Sequence, residues 1–127
     1  MNTGSPHYVV LKNDISTLEI IKQAAKIRYS EAFKSKGINV NYIAINESGE
    51  LQIRTYERGV ENETLACGTG AVAAAIATDF WGLDCKKYPF TINALGGILK
   101  VGFDKTEHGY EKIVLSGSAE FVFSGEI

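Results

Sequence analysis

Cysteine, proline, methionine and tryptophan are scarce in this 127-residue chain: two, two, one and one. Two cysteines, Cys67 and Cys85, make no disulfide framework, and a chain of this size can bury enough core without one, which predicts reduced thiols in a cytoplasmic setting. Neither charge sign is in strong excess, with 13 basic against 15 acidic residues and a formal net charge of -2. No cluster of Lys or Arg is dense enough to track phosphates, which argues against nucleic acid as a partner. Long apolar runs are missing too. The most apolar segment, Ala66 to Ala77, is built mainly from alanine and falls well short of the ~20 residues needed to cross a bilayer, so no membrane association is expected. Met1-Asn2-Thr3-Gly4-Ser5-Pro6-His7 has neither a basic start nor an apolar stretch, so no export signal is visible. Histidine is confined to His7 and the distant His108, which argues against a metal site. Repeats and low-complexity tracts are also absent.

What is present fits one globular domain over residues 1–127. Size scaling gives roughly 6,600 Å² of folded surface against about 20,000 Å² unfolded, enough burial for a single core. Glycine is frequent, at 13 residues, and turn residues recur between short apolar runs. Tyr8-Val9-Val10-Leu11 is a short β-prone run. Ser16-Thr17-Leu18-Glu19 has capping-box form, with Ile15 and Ile20 placed to close as a staple, and predicts a helix start. Leu18, Ile21, Ala25, Tyr29 and Phe33 follow at helical spacing, and Gly37 supplies a stop. Asn39 to Asn46 and Leu51 to Glu57 read as strands of a hairpin through Glu47-Ser48-Gly49-Glu50. Leu51, Ile53 and Thr55 then face one side and Gln52, Arg54 and Tyr56 the other.

Gly68 to Trp81 reads as a second helix ending at Gly82. It has no polar face between Gly70 and Ala77, and a helix apolar all round must be surrounded by protein. Phe90 to Leu95, Ile98 to Phe103 and Tyr110 to Phe123, the last broken near Gly117, complete about seven strands. The fold class is therefore α+β: a curved, mostly antiparallel sheet wrapped around the central apolar helix, with the amphipathic helix outside.

The unusual chemistry gathers between Tyr56 and Gly70. Cys67 falls just before the first turn of the central helix, where unpaired amides and the positive end of the dipole favour anions. There it is either a thiol activated toward thiolate or a buried, inert small residue. Gly68-Thr69-Gly70 either exposes amides for a substrate carboxylate or lets strands approach the helix. Gly68, Gly70 and Ala73 match a loose dinucleotide spacing, but no strand leads into the turn and no acidic residue stands at the required distance, so that reading fails. Glu57 and Arg58 end a strand beside this loop, as ligand contacts or as a solvated ion pair. His7 has the alternative of a turn histidine without a role, and Cys85, in the charged run Asp84-Cys85-Lys86-Lys87, is incidental.

Taken in order, Asn2-Thr3-Gly4-Ser5-Pro6-His7, Asn39-Val40-Asn41, Glu57-Arg58-Gly59-Val60, Glu63-Thr64-Leu65-Ala66-Cys67-Gly68-Thr69-Gly70-Ala71 and Ala119-Glu120-Phe121-Val122-Phe123-Ser124-Gly125-Glu126 resemble the diaminopimelate epimerase family. The resemblance covers the C-terminal half of that enzyme. It implies two pseudo-symmetric halves, each a sheet round a central helix, with one catalytic cysteine at each helix mouth and the amino-acid substrate between them; here the N-terminal half is missing. The reaction implied converts LL-2,6-diaminopimelate to the meso form, for lysine and peptidoglycan precursors, without pyridoxal phosphate, metal or other cofactor.

By the same resemblance Cys67 is one member of a thiol and thiolate pair, and Glu57 and His7 tune the cysteines. Asn39, Glu57, Arg58, Gly68 and Thr69 contact substrate, and Ser5 stands where many members carry an asparagine. The loop Val60 to Thr64 is one residue longer than the commonest form. One thiol cannot reach both faces of a stereocentre, so a lone half is expected to be inactive, and Cys85, at the far end of the same helix, cannot substitute. The competing readings are a non-catalytic binding or assembly module and a related two-half isomerase or racemase. Phe121-Val122-Phe123, whose counterpart packs on the first half in the family, is left as an exposed edge inviting a homodimer.

Overall fold

The computed structural model describes residues 1–126. In chain order it contains β1 (His7–Leu11), α1 (Ile20–Arg28), β2 (Asn39–Ile45), β3 (Leu51–Glu57), β4 (Asn62–Thr64), α2 (Gly68–Phe80), β5 (Phe90–Ala94), β6 (Gly97–Thr106) and β7 (Gly109–Gly117). The strands form one sheet in the order β1-β2-β3-β5-β6-β7, with β4 pairing β3 off that path. The pairs β1–β2 and β3–β5 are parallel and the others antiparallel. The α+β class and the curved, mostly antiparallel sheet are as the sequence predicts.

The sheet curls round α2, which packs against β1, β2, β3, β6 and β7. Ala71, Ala73, Ala74, Ala75, Ala77 and Thr78 are almost fully buried. Small side chains let strands approach from several directions, and Thr78 satisfies its buried hydroxyl by donating to the Ala74 carbonyl at 2.8 Å. The core divides in two rather than forming one body. On the α2 side lie Ile43, Leu51, Ile53, Phe90, Ile92, Val101 and Phe103 with the helix alanines. On the other side, Ile15, Ile20 and Ala24 pack against Val40, Tyr42, Ala44 and Tyr56. β2 is sandwiched between the two, so six of its seven residues are buried. Leu51, Ile53 and Thr55 are buried on one face of β3, with Gln52 and Arg54 partly exposed opposite, in the predicted alternation.

Four local expectations are corrected. Helix α1 begins at Ile20, not at Ser16, because the Asp14 carboxylate captures both the Ser16 amide (2.8 Å) and its hydroxyl (2.9 Å). Glu19 makes no cap and reaches Lys22 instead. The helix ends at Arg28; successive turns carry the chain through Phe33 to Gly37, whose amide donates to the Phe33 carbonyl at 2.7 Å and whose φ is +73°. The segment before α2 is not all loop: β4 pairs with the end of β3, and Arg54 holds Glu63 through two N–H donors at 2.6 and 2.8 Å. Finally, β7 is one strand ending at Gly117. Among the described residues, 118–126 join no strand, and Phe121, Val122 and Phe123 are more than four-fifths exposed.

Candidate active site at the mouth of the central helix

Cys67 is the N-cap of α2, with extended backbone (φ -132°), and its carbonyl takes the first helical bond from the Ala71 amide at 2.9 Å. The amides of Gly68, Thr69 and Gly70 therefore precede the intrahelical ladder and point out of the mouth. Two glycines are required by space. A Cβ on Gly70 meets Asn41 Oδ1 at 2.5 Å and Cys67 Sγ at 3.3 Å, and one on Gly68 meets Leu115 at 2.8 Å. The steric reading of Gly68-Thr69-Gly70 thus holds, and it is compatible with exposed amides.

The chain start folds back onto this mouth. His7 donates its amide to the Met1 carbonyl at 2.9 Å, and the Thr3 hydroxyl donates to the Thr69 carbonyl at 2.8 Å. His7, 1% exposed, places Nε2 2.9 Å from Thr69 Oγ1 and 3.0 Å from Ser5 Oγ, while Nδ1 lies 2.9 Å from the Asn41 amide. Burial lowers the imidazole from 6.5 to about 4, so His7 is neutral near pH 7. Asn39 joins from β2, donating to Ser5 Oγ at 3.0 Å and accepting the Arg58 amide at 2.8 Å. Thr69 Oγ1 lies 3.6 Å from Cys67 Sγ. Every buried side-chain polar atom among the described residues has a partner.

One network therefore unites Ser5, His7, Asn39, Thr69 and Cys67 of the sequence-predicted residues, with Arg58 joined through its backbone only. The Arg58 guanidinium turns away and donates to the Lys36 carbonyl at 2.9 Å. Glu57 stands apart, its carboxylate accepting the Thr64 hydroxyl at 3.0 Å across β3 and β4. Cys85 is not a bystander in a charged loop. Its thiol donates to the Gly49 carbonyl at 3.1 Å and packs against the α2-side core, and burial raises it above the ordinary thiol range.

Sequence reasoning missed Asn41 and Thr55, both buried, with the Thr55 hydroxyl donating to Asn41 Oδ1 at 3.0 Å. The available signal was an asparagine between Val40 and Tyr42 in a strand read as buried, since a fully buried amide demands partners. A groove of about 340 Å³ beside Tyr88, Lys100, Phe103 and Lys112 lies on β6 and β7 and includes none of the site residues.

The model of the diaminopimelate epimerase family matches residues 1–122. A diaminopimelate epimerase of Flavobacterium psychrophilum is 44% identical over 127 residues, which is the whole of this chain and 49% of the relative. One from Aquifex aeolicus is 41% identical over the whole chain and 44% of its own length. The chain thus spans about half the length of the curated relatives it matches. Among solved structures, a phenazine biosynthesis protein of the PhzF family from Bacillus anthracis superposes with a TM-score of 0.59 at 26% identity, covering 85% of this chain and 33% of that one. A PhzF family protein from Enterococcus faecalis gives 0.60 at 14% identity, covering 81% and 35%, which supports the fold.

Proposed function

The chain belongs to the diaminopimelate epimerase family, and from that premise we propose that it is one half of such an epimerase, corresponding to the C-terminal domain. Cys67 is its acid/base and diaminopimelate its substrate. The observation that carries this reading is the junction of Cys67, Thr69 and His7 at the open end of a buried helix, the place where an anionic sulfur and a substrate carboxylate are both favoured. Ser5 and Thr69, with the Gly68 amide, rim the same opening, the buried Asn39 backs Ser5 from β2, and Arg58 and Glu57 lie on the strand end and loop beside it.

The chemistry is a proton exchange at carbon. One thiolate removes the Cα proton, the electron pair of the broken C–H bond delocalises toward the carboxylate, and a thiol on the opposite face returns a proton; nothing is oxidised or reduced. Amides fixed at the helix mouth stabilise the developing charge without reorganising. A single cysteine serves one face, so the half alone is inactive and needs the N-terminal half of the enzyme. The surface fits that need. The protein exposes 7972 Å², about a fifth more than the roughly 6,600 Å² usual for a folded monomer of its mass. Leu65 and Leu115, both exposed, flank the mouth, where apolar surface marks a partner.

The test is deuterium incorporation at Cα of diaminopimelate. The chain alone is expected to give none. Mixed with the N-terminal half of the Flavobacterium psychrophilum relative it is expected to give exchange, and Cys67→Ser in the mixture none. Robust exchange by the chain alone refutes the two-cysteine reading, and exchange by the Cys67→Ser mixture refutes the role of Cys67.

A further inference from the structure

Beneath the sulfur, hydrogen-bond directions follow from groups whose roles are fixed. A backbone N–H only donates, so the atom of Asn39 that meets the Arg58 amide at 2.8 Å is the carboxamide oxygen, and its nitrogen donates to Ser5 Oγ at 3.0 Å. Ser5 Oγ lies 3.0 Å from His7 Nε2 and 3.1 Å from Thr69 Oγ1, so once Nε2 carries a proton the acceptor left for the Ser5 hydroxyl is Thr69 Oγ1. A second chain starts at Thr55, whose hydroxyl donates to Asn41 Oδ1 at 3.0 Å. A backbone carbonyl only accepts, so the Asn41 atom turned toward the Tyr8 carbonyl (3.5 Å) and His7 Nδ1 (2.9 Å) is the amide nitrogen.

A neutral imidazole that accepts at Nδ1 carries its proton on Nε2. That proton faces Thr69 Oγ1 at 2.9 Å and Ser5 Oγ at 3.0 Å. Thr69 Oγ1 then accepts from both chains, and its single proton has one partner left, Cys67 Sγ at 3.6 Å. Both chains begin at obligate or buried donors and end on the same sulfur.

We propose that Asn41 is a positioning residue for Cys67: by donating to His7 Nδ1 it fixes the Nε2–H tautomer and so commits the Thr69 hydroxyl proton to the sulfur, where it stabilises the thiolate. This rests on the reading of Cys67 as an acid/base thiol. It extends that reading to a residue which touches neither the sulfur nor the mouth. Gly70 belongs to the same device, because any Cβ there strikes the Asn41 oxygen that anchors the amide. Asn41→Asp keeps the shape but replaces a donor by an acceptor. It therefore draws the proton to Nδ1, turns Nε2 into an acceptor, and lets Thr69 or Ser5 donate to the ring instead of onward.

Two readouts test this on the 127-residue chain, carrying Cys85→Ser and His108→Gln so that one thiol and one imidazole remain. Nitrogen NMR of isotope-labelled histidine is expected to find His7 protonated on Nε2, and on Nδ1 in Asn41→Asp. The ultraviolet thiolate transition is expected to move up by roughly one pH unit in Asn41→Asp and in Thr69→Val, as befits a lost hydrogen bond to a charged group, and to return in Thr69→Ser. Nδ1 protonation in the parent chain overturns the proposal. An unmoved thiolate transition in Thr69→Val overturns it as well, and the threonine pair decides the matter should Asn41→Asp fail to fold. Neither readout involves diaminopimelate, so failure of the epimerase reading in the exchange experiment and failure of this proton placement are separate results.

Discussion

The two ends of α2 carry similar parts put to different uses. At the N-terminal mouth sit Cys67, a chain of hydroxyls and amides, and a buried neutral His7. At the C-terminal foot, Asp79 accepts from Lys105 and from the Tyr110 hydroxyl, both at 2.7 Å, and beyond it Cys85 donates its thiol to a backbone carbonyl. The foot is closed: Asp79 is paired with Lys105 and the Cys85 sulfur is engaged with the Gly49 carbonyl. The mouth is open and its hydrogen bonds run toward the sulfur. The helix dipole is positive at the mouth and negative at the foot, and the surrounding side chains widen that difference by how they direct their protons.

The largest effect expected from breaking this comparison is at Gly70. Gly70→Ala puts a methyl group 2.5 Å from Asn41 Oδ1, and overpacking plus disrupted buried hydrogen bonds should cost about 3 kcal/mol in urea unfolding. At the foot, Gly82 (φ +64°) has nothing near its Cβ position, so Gly82→Ala costs only backbone strain of about 1 kcal/mol. Near-equal losses would show that the mouth is not sterically special.

Acid should separate the ends next. His7 titrates at about 4 folded against 6.5 unfolded, so the unfolded chain takes up its proton first as pH falls. The stability His7 contributes is full above 6.5 and is lost progressively down to about 4, a loss of at most about 3 kcal/mol. His7→Asn should flatten that window. Asp79 is held below its usual 3.8, by its Lys105 hydrogen bond first, so its contribution is lost only at lower pH. Calorimetry across pH should therefore unload the mouth before the foot; the reverse order would contradict the burial assigned to His7. A smaller effect is expected for Asp79→Asn, about 1 kcal/mol of stability, with the reactivity of Cys67 unchanged.

The sequence made α2 readable because its features are local. An alanine-rich run without a polar face, a cysteine and glycines at its start, and Gly82 at its end locate both helix and mouth. The hairpin through Gly49 was legible for the same reason. Misreadings came where a longer-range partner outbid a local pattern. Asp14 took the Ser16 donors that the capping box needed, and Arg54 drew Glu63 into a short strand that looked like loop. The end of the chain carries the apolar run Phe121-Val122-Phe123, yet, among the described residues, 118–126 find no strand to pair with, because pairing needs a second edge that a sequence motif does not supply. At the site, Cys67, Thr69, Ser5 and Asn39 were legible through family resemblance. Asn41 and Thr55 were not, because their role exists only once β2 and β3 pair and set Asn41 opposite Thr55 beside His7 of β1.

The most direct test of the difference between the two sulfurs is site-resolved alkylation of Cys67 and Cys85 by iodoacetamide, followed against pH by peptide mass spectrometry. Cys67 should outpace Cys85 by about tenfold or more at pH 7, since burial raises the Cys85 thiol and its proton is engaged with the Gly49 carbonyl. Parallel modification of both cysteines across the pH range would contradict the account of an activated sulfur at the mouth of α2.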